Sequence, residues 1–264
     1  MDESMVRGQK QTLSRRGYMT YFTPDETPFY YEPISEQTCR AWIRDMYQQS
    51  KRHHARFSRR LAERHSSVAQ CFGWSVQRSL VDGRHLHFHF SKRFPSCDPD
   101  ALAVAMLEHG WHVFHDPKLY ARIYRTVMIA KVLQRVDAFN SVIIRNSPSP
   151  NRTHNIRSLT IMSKIDDHDD QGRRTLSILT LVIEPPEDMA NHNSNGVLYI
   201  RDAYTYIVFT VGTDAATGPY VEMTYGGHGD CLSEAQAQYL FVETGHVLFR
   251  FEQMLYPRNL VTQG

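Results

Sequence analysis

The stretch SEAQAQYLFVETGHVLFRFEQMLYP, residues 233–257, reads as one long helix. Ser233 with Gln236 three residues on makes a capping box, and Pro257 supplies a stop. Roughly 24 residues would span about 36 Å. Gln236, Glu243, His246, Arg250 and Gln253 mark a polar face, and Ala237, Leu240, Phe241, Val247, Leu248, Phe251 and Leu255 mark a broad apolar one. Burying five of the larger side chains would contribute roughly 8–15 kcal/mol before chain entropy is subtracted. A helix with that much apolar surface has to lie against something.

The rest of the chain offers a sheet as the partner. Segments 126–136, 140–146, 154–165, 173–184, 197–211 and 219–225 alternate with period two and are rich in β-branched and aromatic residues. Turn clusters, among them DDHDDQG (166–172) and GGHGD (226–230), separate them. Six consecutive strands without crossover helices predict an antiparallel meander.

Ahead of the meander, CFGWSVQRSLVDGRHLHFHFSKRF (71–94) reads as a hairpin turning at Asp82-Gly83. Phe72, Trp74 and Val76 share a face of one arm, and Leu86, Phe88 and Phe90 share a face of the other. One side of the hairpin is expected to be buried and the other wet, with His85, His87 and His89 on the outer surface. Two short helices follow. Asp98 caps the first, with Pro99 in its opening turn, Leu102, Ala105 and Met106 along it and Gly110 as its stop. Asp116-Pro117 opens the second, through Tyr120, Ile123 and Tyr124.

From Ser35 to about Arg64 the pattern is helical. Trp42, Met46, His53, Phe57 and Leu61 fall near one face, and Arg44, Lys51, Arg52, Arg56, Arg59, Arg60 and Arg64 cover much of the rest. Residues 1–34 carry no period, and TPDETPFYYEPIS holds three prolines. They are expected to form a tail or an extended strap, leaving one domain over 35–264 that includes the basic helix 35–64.

The order of elements is helix, two strands, two short helices, six strands and a long terminal helix. It resembles the helix-grip fold and, within it, the START-like (StAR-related lipid-transfer) domains, over about residues 35–260. FGWSVQRSLVDG, LEHGWHVFHDPKLYARIYR, VLQRVD followed by VIIRN, and the terminal helix carry the resemblance. It implies an α+β fold, a curved antiparallel β-sheet wrapped around the C-terminal α-helix. It also implies an internal apolar cavity that holds a lipid or sterol without catalysis. One departure is that two strands precede the short helices where the family usually has three; residues 18–31 are a candidate for the missing one. The family has no short signature to carry residues over, so the expected ligand contacts are inward-facing apolar side chains: Trp74, Phe88, Phe90, Trp111, Tyr204, Tyr206, Leu248 and Phe251. Tyr199 belongs to the same supply of aromatics. For each one, simple core filling is the competing reading.

Composition narrows the alternatives. The chain has 264 residues, 41% of them hydrophobic, and a net charge of +2, which gives no whole-protein case for nucleic acid or an anionic membrane. Cys39, Cys71, Cys97 and Cys231 lie far apart, against a zinc module or a disulfide framework. The N-terminal MDESMVRGQKQTLSRR lacks an apolar signal core, and no apolar run reaches membrane-spanning length. The expectation is a soluble cytoplasmic protein, with the nucleus as an alternative and the sequon Asn151-Arg152-Thr153 unused.

No catalytic residue and no cofactor is specified. His87 and His89 are eligible to share a metal, yet no third ligand is spaced for it. Asp166, Asp167, His168, Asp169 and Asp170 lack the spacing of a calcium loop, and Gly226, Gly227 and Gly229 make no phosphate cradle. No G-x-S-x-G elbow occurs. Arg145, Arg157, Arg201 and Glu184 sit on strands where they could anchor a polar headgroup. KRHHARFSRRLAERH, residues 51–65, carries the rival reading. In that reading the chain is a ligand-free regulatory module that touches acidic membrane, a protein partner or, less favoured, nucleic acid. The number of subunits is left open.

Overall fold

The computed structural model describes residues 17–21, 29–62, 69–125, 128–148, 153–185, 196–231 and 233–256. Residues 1–16, Arg64 of the basic run, Asn151 of the sequon and the stop at Pro257 lie outside the described residues.

A short hairpin comes first, β1 (Tyr18–Thr20) and β2 (Phe29–Tyr31), followed by α1 (Glu36–Ala62). Next are β3 (Ala69–Cys71), β4 (Trp74–Val81), β5 (His85–Pro95), α2 (Pro99–His115) and α3 (Pro117–Tyr124). The chain continues through β6 (Ile129–Arg135), β7 (Asn140–Pro148), β8 (Asn155–His168), β9 (Arg174–Ile183), β10 (Val197–Tyr199), β11 (Ala203–Asp214) and β12 (Gly218–Asp230). It closes with the terminal helix α4 (Glu234–Leu255). No helix among the described residues is long and apolar enough to cross a membrane.

The large sheet runs β3-β4-β5-β12-β11-β9-β8-β7-β6, antiparallel throughout, so the six-strand meander docks its last strand on the β4–β5 hairpin. β10 is an addition. It pairs in parallel with Asn155–Arg157 of β8, a stretch that extends past the end of β9. The expected strand 197–211 is therefore two pieces, and Asp202, at φ 43°, makes the corner between them.

Each face of the sheet has its own core. On the front, Trp74, Phe88, Phe90, Phe94, Ile178, Phe209 and Met223 pack with α2, α3 and α4. On the back, Val142, Ile144, Leu159, Ile161, Leu179, Tyr204 and Tyr206 pack with Cys39, Ile43 and Met46 of α1. This is an α+β helix-grip arrangement with one more layer than expected. The wet face predicted for the hairpin is covered by α1, because that helix's apolar stripe also requires a partner. His89 is buried, and His85 and His87 are half-buried rather than on the outer surface.

Three local expectations change for steric reasons. Gly110 does not end α2, which runs on to His115; a Cβ there would lie 3.1 Å from both Ile178 Cδ1 and Phe251 Cζ, so the glycine permits close helix packing. GGHGD is not a turn but the end of β12, where a Cβ on Gly226 would meet Tyr206 Oη at 2.3 Å. Phe72 sits in the β3–β4 turn at φ 51° and is exposed, off the face shared by Trp74 and Val76.

The described part of the N-terminal segment is strapped to the sheet edge. Gln134, beside a bulge in β6, accepts from the Ile34 N–H and from Tyr31 Oη through Oε1, both at 2.9 Å. Its Nε2 donates to Ile34 O at 2.8 Å. β1 and β2 pair with each other in a separate sheet and add no strand to the large one.

Candidate functional site

Asp116 starts α3 by accepting the N–H groups of Lys118 and Leu119, and Arg125 ends it in left-handed backbone. This short helix and α4 lie side by side over the front of the sheet, anchored by a bond from Arg250 to Ile123 O. Between them and the ends of β7 and β8 is a cleft of about 770 Å³. That volume matches the size of small-molecule sites.

Tyr120 and Tyr124 of α3, Tyr225 of β12 and Val247 of α4 form part of the wall. Burial pushes the Tyr124 and Tyr225 hydroxyls well above the usual phenol range, so both stay neutral donors. Arg125, Glu243 and Arg250 supply charge to the lining, and Ile200, Tyr239 and Leu240 contribute partly exposed apolar surface.

One cation enters this space from the sheet. Arg145 is 5% exposed, on the same side of β7 as Ser141 and Ile143. Its guanidinium donates to Thr160 Oγ1 at 2.7 Å, to Met162 Sδ at 2.9 Å and to Phe114 O at 3.4 Å, and its carbon lies 4.8 Å from the Tyr120 ring centroid. Its Nε has no hydrogen-bond partner, and no carboxylate among the described residues forms an ion pair with it. A buried guanidinium whose contacts are neutral is an anchor for an acceptor group.

None of the eight expected contact residues lines this cleft. Phe88, Phe90, Leu248 and Phe251 are core fillers; Phe90 stacks on Phe241 at 5.5 Å, and Phe251 meets Phe114 at 5.2 Å. Leu248 and Phe251 border a void of only about 10 Å³. Trp74 is tied to α4, and Trp111 lies against His115 at 4.2 Å beside Lys164. Tyr204 and Tyr206 are on the other face of the sheet, under α1, because their positions in β11 alternate with those of Ile207 and Phe209. Tyr199 packs against that back-face core. Of the strand residues considered as headgroup anchors, Arg145 alone lines the cleft. Arg157 is fully buried and donates to Asn146, and Arg201 pairs with Glu184 in solvent. The signal for Arg145 was present in NSVIIRN, where its parity matches Ser141 and Ile143. Tyr120 and Tyr124 read from sequence only as part of the short helix, with no signal for a cleft. Tyr225 closes the expected strand 219–225 and carries no sequence signal of its own, whereas in the structure it lies inside β12.

The back face gathers imidazoles. In register across β11, β12, β5 and β4 stand Tyr204, His228, His87 and Ser79, and in the next row Tyr206, Gly226, His89 and Gln77. α1 lays His53, His54 and Phe57 over them. Among the described residues no three His, Cys, Asp or Glu side chains are arranged to hold a metal ion.

No family model matches the sequence, and no curated protein matches it. Among solved structures, the chain is similar to a STAR-related lipid transfer protein from Xanthomonas axonopodis, at 14% identity and TM-score 0.46, covering 71% of this chain and 96% of that one. It is similar to human StAR-related lipid transfer protein 5 at 11% identity and TM-score 0.45, covering 80% and 98% respectively. The human StarD13 (DLC2) lipid transfer and protein localization domain gives 12% identity and TM-score 0.46, covering 82% and 97%. At such identities a likeness concerns the course of the chain and not the residues of a site.

Proposed function

We propose that the cleft between α3, α4 and the sheet binds one amphiphilic molecule, a lipid or sterol-like compound, without transforming it. The carrying observation is the pairing of a space of about 770 Å³ with one buried cation that no carboxylate among the described residues neutralises. Aromatic and aliphatic walls would take the apolar body, while Arg145 would hold an acceptor group such as a carboxylate, phosphate or hydroxyl. The names of the similar solved structures, lipid transfer proteins, agree with this reading. Native mass spectrometry after gentle purification, with organic extraction of the bound fraction, tests it. Uptake of cis-parinaric acid, dehydroergosterol or a fluorescent phospholipid at one per chain is the expected result. A panel in which none of these probes binds, and nothing co-purifies, overturns it.

A second reading uses the outer face of α1, where Arg44, Arg52, Arg56 and Arg59 are exposed. It places this stripe against an acidic membrane surface or an acidic protein. Flotation with anionic vesicles, lost when Arg52, Arg56 and Arg59 are all changed to Gln, distinguishes it from the cleft.

A further inference from the structure

The two halves of α1 are held on the sheet by different chemistry. Its first half buries Cys39, Ile43 and Met46 against Val142, Ile144, Leu159, Ile161 and Leu179. That contact is insensitive to pH. Tyr47 and Lys51 then pin the helix to Asp167, at 2.6 and 3.0 Å. Beyond this pin the contact changes to imidazole. His53 shares a 2.9 Å hydrogen bond with Tyr206 Oη. Its ring lies 5.4 Å from that of His87, which is 5.1 Å from His228. His54 and Phe57 stack on His89 at 5.4 and 5.5 Å.

This seam is built for neutral rings. Both nitrogens of His89, Nε2 of His53, Nδ1 of His228 and both side-chain polar atoms of Gln77 are buried with no hydrogen-bond partner in the protein. A proton added to one ring would put charge in an apolar slot and beside other rings. The charged neighbours do not compensate. On α1 they are Lys51, which Asp167 engages, and Arg56, which repels a charge on His53. From the sheet, Glu222 and Asp230 of β12 act on His54 and His228, and Asp202 lies 3.9 Å from His228 Nε2. At the β8–β9 turn, Arg173 and Asp169 act on His54 with opposite signs. His85 adds a further like charge near His228 when protonated. Among the described residues no acid is set against His89, and the rings that would repel a charge on it are His54 and His53.

We infer that α1 is an acid-released flap: mild acidification frees its second half, residues 52–62, from the back of the sheet while the first half stays docked. Released, the histidines regain water and their ordinary basicity, so protons favour the open form. Burial pushes His53 and His89 down to about 3 in the closed form, against about 6.5 when free. The sign follows: between those values the open form binds more protons, so closure is complete above about pH 6.5 and weakens as pH falls. At pH 5 each ring favours opening by about 30-fold, and the two together by about 10³-fold. The Asp167 pin survives, because Tyr47 and Lys51 hold that carboxyl down to about 2. Opening uncovers Tyr206 and His89 and changes how the helix presents its arginines.

Hydrogen exchange of the full chain at pH 7.5 and 5.0, corrected for intrinsic rates, reads this directly. Protection in peptides from residues 52–62 is expected to fall by up to about 10³-fold, while residues 36–46 and α4 keep theirs. A His53→Gln/His89→Gln protein is expected to lose most of that pH dependence, with His54 and His228 carrying what is left. Unchanged protection in 52–62, a simultaneous loss in α4, or the same acid response in the double variant overturns the inference. Should that variant not fold, ring ¹⁵N shifts of His53 and His89 in the unsubstituted protein decide. Rings that stay neutral until the helix opens support the flap, and rings that titrate near 6.5 with the helix still protected overturn it.

Discussion

Trp74 Nε1 donates to Glu252 Oε2 at 2.7 Å while Lys92 Nζ reaches Oε1 of the same carboxylate at 2.6 Å, so one side chain of α4 clasps both strands of the β4–β5 hairpin. Both ions are largely buried, with side chains 15% and 16% exposed, and the ammonium also lies 5.8 Å from the Trp74 ring centroid. Removing one partner from such a pair strands the other in low dielectric. Glu252→Ala is therefore expected to cost about 3 kcal/mol in urea unfolding, with a red shift of Trp74 emission. A loss below about 0.5 kcal/mol would show that the clasp is slack.

Replacing Arg145 by Met keeps bulk and removes the cation. Binding of cis-parinaric acid is expected to weaken at least 10-fold, and that of dehydroergosterol by less, since a hydroxyl depends less on charge. Titrations followed by fluorescence compare the two. Equal effects on both probes would show that Arg145 shapes the cleft without recognising the head.

Thr244, half-buried and lining the cleft from α4, belongs to neither packed core, so Thr244→Trp should obstruct the cleft and leave both cores intact. All three lipid probes are expected to lose binding, while the thermal midpoint moves by only a few degrees. Retained binding would place the ligand elsewhere.

The strand glycine Gly226 faces the Tyr206 hydroxyl, and an added methyl overlaps it. Gly226→Ala is expected to destabilise by about 1–3 kcal/mol. Combined with Tyr206→Ala, which removes the clash, it should cost much less than the sum, a coupling that a double-mutant cycle measures.

Asp167 sets an acid limit of its own. The Tyr47 hydroxyl, the His168 N–H and Lys51 hold its carboxyl down to about 2, below its ordinary 3.8. A depressed carboxylate adds stability that is present above about 3.8 and disappears as pH falls toward 2. Asp167→Asn should flatten the urea midpoint across that window and lower it slightly at pH 7, the pair being half exposed. A steep fall between 4 and 2 in the variant would assign the limit to other groups.

Much of the fold was legible because burial leaves a period in the chain. The capping Ser233, the Asp82-Gly83 turn, the two Asp-Pro helix starts and the alternation from β6 to β12 each mark a local geometry that few residues adopt otherwise. Parity alone puts Phe88 and Phe90 on one buried face, and the structure packs that face against α4. The same parity puts the histidines between them on the opposite side, which alternation alone reads as wet and α1 covers.

A strand's alternation says which residues share a face and is silent on what covers it. Only the packing of α1 showed that HLHFHF is buried on both sides, and only the curvature of the sheet placed Arg145, Tyr124 and Tyr225 around a space while the expected aromatics filled solid core. The sequence by itself determined the main elements, their order and which residues of a strand share a face, because backbone sterics and side-chain polarity act over a few residues. Where a cavity remains depends on how layers separated by a hundred residues fail to close, and that is a property of the assembled structure alone.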